Sequence, residues 1–427
     1  MKSKLFIMYR SILRGITFNL SFKIFSYFLS YLISLLIISN YGTHDFGFYT
    51  LIITLITITS VLLSFGIPKL IIREVSRYLY ANERQKINNL YERIHNYYLS
   101  IFLLLAVIFF FGYLFGFSLN HTFFVSIACG FLFCLTQTNS AKIQASDNVT
   151  LGLFFEPVLR QVVFLVCLLC GFYVLKLESN DTISLLIYSS FIILFLISYF
   201  IHLHLKENES QKFSPKLFDF SILGKAKFIG LSNILFIFLS SIEILLMSSF
   251  TTFDDVSYLR IYILLCSPIS LLLGVYSQYM HRNFSVYSQE KNFEKIKIIN
   301  RKFIRIISII SIVYMAFFYF FGQSLVTLLY NSQIILDNKI ILILLLANMI
   351  NVFSGPNLTL CHMMDISDYV TKTLFVIVIS SIVLGSILVY SSGIFGAVFN
   401  ILIMTFLFNI SLNIKIYKTF KIKSFIH

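Results

Sequence analysis

The sequence predicts an all-α polytopic membrane protein with about 12 transmembrane helices in two pseudo-symmetric six-helix lobes, and three observations carry that prediction. Apolar residues fill 58% of the 427 positions and charged residues only 12%, against about 45–50% and about 25% in soluble domains. The apolar residues come in runs of about 20, the length that crosses a bilayer. Lys and Arg concentrate in alternate connecting loops, as they do in proteins oriented by the positive-inside rule.

Taken in order, the runs place spans near 16–39, 46–67, 97–117, 121–140, 152–175 and 183–203. After a polar stretch, six more lie near 228–250, 258–279, 303–321, 337–357, 370–390 and 393–413. Five prolines and 48 phenylalanines, with no tryptophan, suit long uninterrupted helices in lipid. A membrane β-barrel would instead show segments of about ten residues alternating apolar and polar. The sequence has no such pattern.

Twelve spans put both termini on one side. Of 33 Lys and Arg, 29 fall in the N-terminal arm through Lys23, in the loops after even-numbered spans counted with the adjoining span ends, and in the C-terminal tail. Only Lys176, Arg260 and Lys339 fall on the other side, and Arg160 lies inside span 5. The N- and C-termini are therefore expected in the cytoplasm. The same distribution accounts for the net charge of +14. It is spread over short loops such as "EKNFEKIKIINRKFIR", where topology and anionic lipid headgroups explain it better than nucleic acid.

The opening "MKSKLFIMYRSILRG" reads as a basic amphipathic arm without a cleavage site, so span 1 is expected to stay. All six cysteines fall in or at the ends of predicted spans. The one CxxC, Cys167 and Cys170, has no acidic or His partner in sequence, so packing is expected there rather than metal or redox chemistry. No metal or cofactor is expected.

An internal repeat organises the chain. At an offset of 209 residues "HDFGFY" lies over "FDDVSY", so that Asp45 matches Asp254 and Tyr49 matches Tyr258. Each motif follows the first span of its half. The expected division is an N-terminal lobe over 1–205, a cytoplasmic linker over 206–227 and a C-terminal lobe over 228–427.

Two facing bundles imply a cavity lined by polar helix faces. Span 1 places Asn19, Lys23, Ser26, Ser30 and Ser34 on one helical stripe, and span 7 places Asn233, Ser240 and Glu243 on another. A charge at the centre of a lipid-facing helix costs about 2.5–3.5 kcal/mol on insertion scales. Lys23 either faces a cavity or snorkels to the cytoplasmic surface; Glu243, deeper in its span, favours a cavity or gating role. Span 10 carries Asn348, Asn351, Ser354 and Asn357, which either join helices or meet sugar hydroxyls. Glu156 and Arg160, four apart with the acid first, form either an intrahelical ion pair or a headgroup contact at the cytoplasmic mouth. Arg73 and Arg77 are topology charges or a cytoplasmic entrance for an anionic headgroup. His202 and His204 end span 6, and the hydroxyls of Thr50, Thr54, Thr57 and Ser64 in span 2 read as structural.

Walker A, HExxH and GxSxG sequences are absent, and the outer loops are short, so the sequence supports a transporter and not an enzyme. The stretch "SNYGTHDFGFYTLIITLITITSVLLSFGIPKLIIREVSRY" resembles the signature after the first helix in polysaccharide flippases of the multidrug/oligosaccharidyl-lipid/polysaccharide superfamily. "SSIEILLMSSFTTFDDVSYLRIYILL" resembles the seventh-helix pattern with its acidic residue at Glu243, although Val256-Ser257-Tyr258 stands where the family usually has Gly-x-Tyr. "SSGIFGAVFN" resembles the Gly-x-x-Gly-Ala start of the last helix, at Gly393, Gly396 and Ala397.

The resemblance implies a V-shaped pair of six-helix lobes in the bacterial inner membrane. It implies movement of an undecaprenyl-diphosphate-linked oligosaccharide, such as an O-antigen unit, from the cytoplasmic to the periplasmic leaflet. The expected partners are that lipid-linked substrate, membrane lipids, and a polysaccharide polymerase with its chain-length regulator. A drug or metabolite efflux antiporter on the same architecture is the rival reading, and a non-transporting membrane scaffold a second. The first rival would use cation-coupling carboxylates and an acidic pocket, whereas this sequence offers one deep carboxylate and a more basic interior.

Overall fold

Inside a bilayer no water is available to backbone N–H and C=O groups, so a chain this apolar satisfies them within helices. The computed structural model describes residues 2–80, 83–114, 121–145, 152, 154–174, 180–205, 221–330, 337–364 and 366–421, and every regular element among them is helical. The first half contains α1 (Lys2–Tyr41), α2 (Thr43–Ser64), α3 (Ile67–Tyr80), α4 (Arg84–Leu114) and α5 (His121–Ala145). It continues with α6 (Arg160–Leu169), flanked by π turns at Phe155–Leu159 and Cys170–Val174, and α7 (Asn180–Leu205). The second half contains α8 (Ser221–Phe250), α9 (Phe253–Cys266), α10 (Pro268–Gln289), α11 (Phe293–Leu329), α12 (Asn338–Ser354), α13 (Asn357–Met363) and α14 (Ser367–Phe420).

Among the described residues nine helices are long and apolar enough to cross a bilayer, and ten if α9 and α10, bent by 58° at Ser267, count as one span. The remaining sequence-predicted positions have helical counterparts. The apolar stretch Pro157–Tyr173 occupies the fifth. The eleventh and twelfth are the two arms of α14, which is broken at Gly393, where φ is 54° and ψ −128°. The arms fold back on each other: Asn400 Nδ2 donates to the Ser381 carbonyl at 3.2 Å, and the Tyr369 hydroxyl reaches the Ser411 carbonyl at 3.4 Å. A Cβ on Gly396 would lie 2.0 Å from the Leu388 carbonyl oxygen, so glycine is required at the tip of this hairpin.

One compact unit comprises Ile52–Ile237. Its core joins α3, α4 and α5 through Leu70, Ile71 and Val75 with Ile94, Tyr98 and Cys134. The apolar run of span 2 extends to 67 in sequence, but left-handed backbone at Phe65 (φ 43°) and Gly66 (φ 74°) ends the helix and starts α3. On α3, Ile67, Leu70 and Ile71 are buried while Lys69 and Arg73 are exposed.

The other unit comprises Met1–Leu51 with Phe238–His427. The lobes expected from sequence part at 206–227, and the compact units do not. Helix α1 and the first turns of α2 pack with the C-terminal helices, residues 206–220 lie outside the described residues, and 221–227 begin α8. The physical reason lies in α1's polar and aromatic contacts. The Ser34 and Tyr330 hydroxyls meet at 2.9 Å, and the Tyr31 and Tyr330 rings meet edge to face at 5.7 Å. Helix α11 shows how a span separates its faces. Ile306, Ile309, Ile310, Val313, Phe317 and Phe320 are exposed for lipid, while Ile304, Ile307, Ser308, Ser311 and Phe318 are buried.

The repeat motifs meet within this unit. The Thr43 hydroxyl donates to the Asp254 carboxylate, and the Ser257 hydroxyl to the Thr43 carbonyl. Gly47 lets the backbones touch: a Cβ there would sit 1.9 Å from the Phe253 carbonyl oxygen. The matching position Val256 is fully buried, so only one of the two motifs needs glycine at this place.

Glycine substitutions test this packing. Gly47→Val is expected to destabilise by about 1–3 kcal/mol or more, the range for overpacking. Gly224→Ala, whose Cβ meets nothing within 4 Å on exposed α8, is expected to stabilise by up to about 1 kcal/mol. Thermal unfolding of the detergent-purified variants reads both.

Candidate polar sites within the helix bundle

Glu243 is 4% exposed on α8, a position that in an apolar bundle demands partners. Asn400, on the second arm of α14, donates from Nδ2 to Glu243 Oε1 at 2.6 Å. Ser381, on the first arm, reaches the same oxygen at 3.4 Å. The Asn400 amide also donates to Ser381 Oγ at 3.0 Å, so one amide ties the carboxylate to both arms of the hairpin. Room for it comes from Gly385, where a Cβ would lie 2.7 Å from Asn400 Nδ2. Glu243 Oε2 and Asn400 Oδ1 have no hydrogen-bond partner among the described residues. The result is an acceptor-rich pocket at which a proton or a monovalent cation could be held.

The span-1 stripe faces the interior of its unit. Asn19, Ser26 and Ser34 are buried, and Lys23 and Ser30 are half-buried. Lys23 lies beside α10, its Nζ 3.8 Å from the position a Cβ on Gly274 would take. The Ser30 hydroxyl donates to the Ser26 carbonyl at 3.0 Å, which leaves its oxygen able to accept.

The expected span-7 stripe does not share one environment. Ser240 is exposed. Asn233 accepts from Lys69 Nζ at 2.5 Å in the unit Ile52–Ile237, while Glu243 belongs to the other. The spacing of 7 and 3 puts the three on a common helical face, but neighbouring helices cover that face differently along its length.

On α12 the amides act first as joints between helices. The Ser270 hydroxyl donates to Asn348 Oδ1, and Asn409 Nδ2 reaches Asn351 Oδ1 at 3.4 Å. Near the expected cytoplasmic mouth, the Arg73 guanidinium is held by its neighbour Glu74, Nη2 to Oε1 at 3.0 Å. The Arg160 guanidinium lies over the Phe133 ring at 5.4 Å. The side chains of Arg77, Glu156, His202 and His204 lie outside the described residues.

Sequence reading missed Asn400 and Ser381, which complete the Glu243 pocket, and Asn409, which joins α14 to α12. A signal existed: Asn400, Asn409 and Asn413 are three amides in one apolar span, the same pattern that singled out span 10.

The fold and its buried polar groups define a polytopic helical bundle with internal polar sites. No protein-family model matches the sequence, and no curated protein does. Solved structures match the fold along nearly the whole chain. An inward-facing multidrug resistance MATE family transporter of the MOP superfamily superposes with a TM-score of 0.69 at 13% identity, covering 95% of this chain and 98% of that one. An outward-facing transporter of the same description gives 0.65 at 14% identity over 93% of each chain. A MOP superfamily transporter from Pyrococcus furiosus, with a binding pocket of reverse polarity, gives 0.65 at 14% identity over 95% of each. At these identities the likeness is one of fold.

A double-mutant cycle tests the Glu243 pocket. Asn400→Ala is expected to lower stability by about 1–3 kcal/mol, because it strips the buried carboxylate of its shortest hydrogen bond. The loss shrinks in a Glu243→Gln background, with a coupling of about 0.5–3 kcal/mol. Additive effects in thermal unfolding would dissociate the two residues.

Proposed function

We propose that the protein is a flippase that moves an undecaprenyl-diphosphate-linked oligosaccharide from the cytoplasmic to the periplasmic leaflet of a bacterial inner membrane, by alternating access of two six-helix repeats. The observation that carries this reading is the interior-facing stripe of α1, which sets one half-buried cation, Lys23, among neutral hydrogen bonders. The polyprenyl tail of such a substrate stays in lipid, so its path needs a cation for the diphosphate and hydroxyls and amides for the sugars. Lys23 supplies the first, and Asn19, Ser30, Asn348 and Asn351 supply the second. Arg73, Arg77 and Arg160 collect the headgroup at the cytoplasmic side, Glu156 sets the charge balance there, and Asn233 with Lys69 adds a further polar contact. A polysaccharide polymerase and chain-length regulator take the product onward.

The membrane potential suffices as a driving force. Two negative charges moving outward across 100 mV, negative inside, gain about 4–5 kcal/mol, from about 2.3 kcal/mol per charge. Proton coupling, where it operates, runs through Glu243.

A second reading is cation-coupled drug or metabolite efflux. It is favoured by one observation, the Glu243 carboxylate with an oxygen left open inside the bundle, and by the multidrug transporters that share the fold. The basic interior expected from sequence is not found: the buried charged side chains among the described residues, Asp45, Glu74 and Glu243, are acidic, and the half-buried Lys23 on the α1 stripe weighs against cationic drugs. The reverse-polarity pocket of the Pyrococcus furiosus neighbour supports the idea that this fold accommodates either sign.

The deciding experiment locates the lipid-linked oligosaccharide with a membrane-impermeant sugar probe on intact and inverted vesicles from a deletion strain. Accumulation on the cytoplasmic face, relieved by the wild type, is expected. Lys23→Ala is expected to lower the rate about tenfold or more, given the about 1.5–3 kcal/mol of a hydrogen bond to a charged group. Unchanged distribution with loss of drug resistance would select the efflux reading. Proton coupling predicts that an inward proton gradient accelerates the wild type but not Glu243→Gln; equal acceleration of both assigns coupling elsewhere.

A further inference from the structure

Span 10 is discontinuous. Helix α12 ends at Ser354, Gly355 adopts φ 77° and ψ −167°, and α13 resumes at Asn357 after Pro356. In a continuous helix the amides of residues 355 and 357 would serve the Asn351 and Phe353 carbonyls. Here Gly355 N–H goes to Val352 at 3.0 Å and Asn357 N–H to Gly355 at 2.8 Å. Pro356 has no N–H to give. The negative end of the 17-residue α12 therefore faces the break with last-turn carbonyls that have lost their helical donors.

Unpartnered side chains gather at the same place. Asn357, 2% exposed, has no hydrogen-bond partner at Oδ1 or Nδ2, and the fully buried Ser354 Oγ has none either. Asn300 of α11 brings its unpartnered Nδ2 to 3.7 Å from the position of a Gly355 Cβ, while its Oδ1 accepts from the Tyr276 hydroxyl at 3.2 Å. Asn413, on the second arm of α14, is likewise buried and has no partner at either amide atom. Asn409, one turn before Asn413 on α14, reaches Asn351 of α12 at 3.4 Å. Lys415 is drawn over the Tyr369 ring at 5.2 Å.

Native interiors hold few unsatisfied buried polar groups, so a cluster like this one implies an occupant. We propose that the break in span 10 is a binding site for a monovalent alkali cation, held by the Asn357 and Asn413 amide oxygens, the Ser354 hydroxyl and the freed carbonyls of α12. Oxygen ligands suit a hard cation. The ligand set contains no carboxylate, which matches a single positive charge and not a divalent ion. Interchange of amide oxygen and nitrogen lets Asn300 turn its oxygen inward and keep a hydrogen bond to Tyr276, whose hydroxyl both donates and accepts. Broken membrane helices with unwound carbonyls hold ions by this chemistry. The bound ion would join the two halves of span 10 to the second arm of α14.

The test uses the full-length protein purified in detergent, with binding of radiolabelled sodium and thermal unfolding in sodium, potassium or choline chloride at constant ionic strength. Saturable sodium or potassium binding and a rise in unfolding temperature over choline are expected. Asn357→Ala is expected to weaken binding about tenfold or more, as loss of an ion's supporting contact does, and Asn357→Asp to tighten it. Glu243→Gln is expected to leave binding at this site in place. Should Asn357→Ala not fold, Asn413→Ala and Asn357→Asp read the same site. Equal unfolding in all three salts overturns the proposal and leaves a hydrated break only. Binding lost in Glu243→Gln and kept in Asn357→Asp and Asn413→Ala overturns it too, by placing the ion at Glu243.

Discussion

A lipid-embedded chain must satisfy its polar groups from within, and that constraint shapes each feature described above. Backbone groups meet it by forming helices. Side chains meet it by finding one another: Glu243 accepts from the Asn400 amide and the Ser381 hydroxyl, and that amide in turn needs the space left by Gly385. The hairpin of α14 exists at Gly393 and Gly396 because only glycine allows the turn and the close return. The carboxylate on α8 and the turn in α14 are thus parts of one solution.

Breaks in the helices follow the same logic in reverse. Left-handed backbone at Phe65 and Gly66, the bend at Ser267 before Pro268 and the Gly355-Pro356 interruption each free backbone groups that a continuous helix would pair. At the first, the Tyr97 hydroxyl donates to the Leu63 carbonyl at 2.9 Å. At the second, the Tyr314 hydroxyl donates to the Leu265 carbonyl at 2.7 Å. At the third, buried amides gather without filling the role among themselves. Two breaks are closed by tyrosine, and the third is left receptive. That difference separates a structural bend from a candidate site.

Much of the candidate site was legible in sequence because lipid is an unforgiving background. A carboxylate at Glu243, a lysine at Lys23 and repeated amides at Asn348 and Asn351 stand out in runs dominated by apolar residues. Their partners were harder to see. Ser381 and Asn400 lie 138 and 157 residues from Glu243 in sequence, and no local pattern announces a contact across that separation. Asn233 and Glu243 shared a helical face on paper, but Asn233 meets Lys69 while Glu243 meets the α14 hairpin.

Helix type, the position of nearly every span and the polar stripe of α1 were determined by the sequence itself, because 20-residue apolar runs and 3.6-residue periodicity are local properties. The tertiary structure decided which helix covers which face. It set α1 with the C-terminal helices, ended α2 early to make α3, and assembled the amide clusters around Glu243 and Gly355. The physical reason is that in lipid nearly all helix faces are apolar, so hydrophobicity does not select partners. Selection falls to small residues that permit close approach, such as Gly47 and Gly385, and to polar atoms that find each other across hundreds of residues.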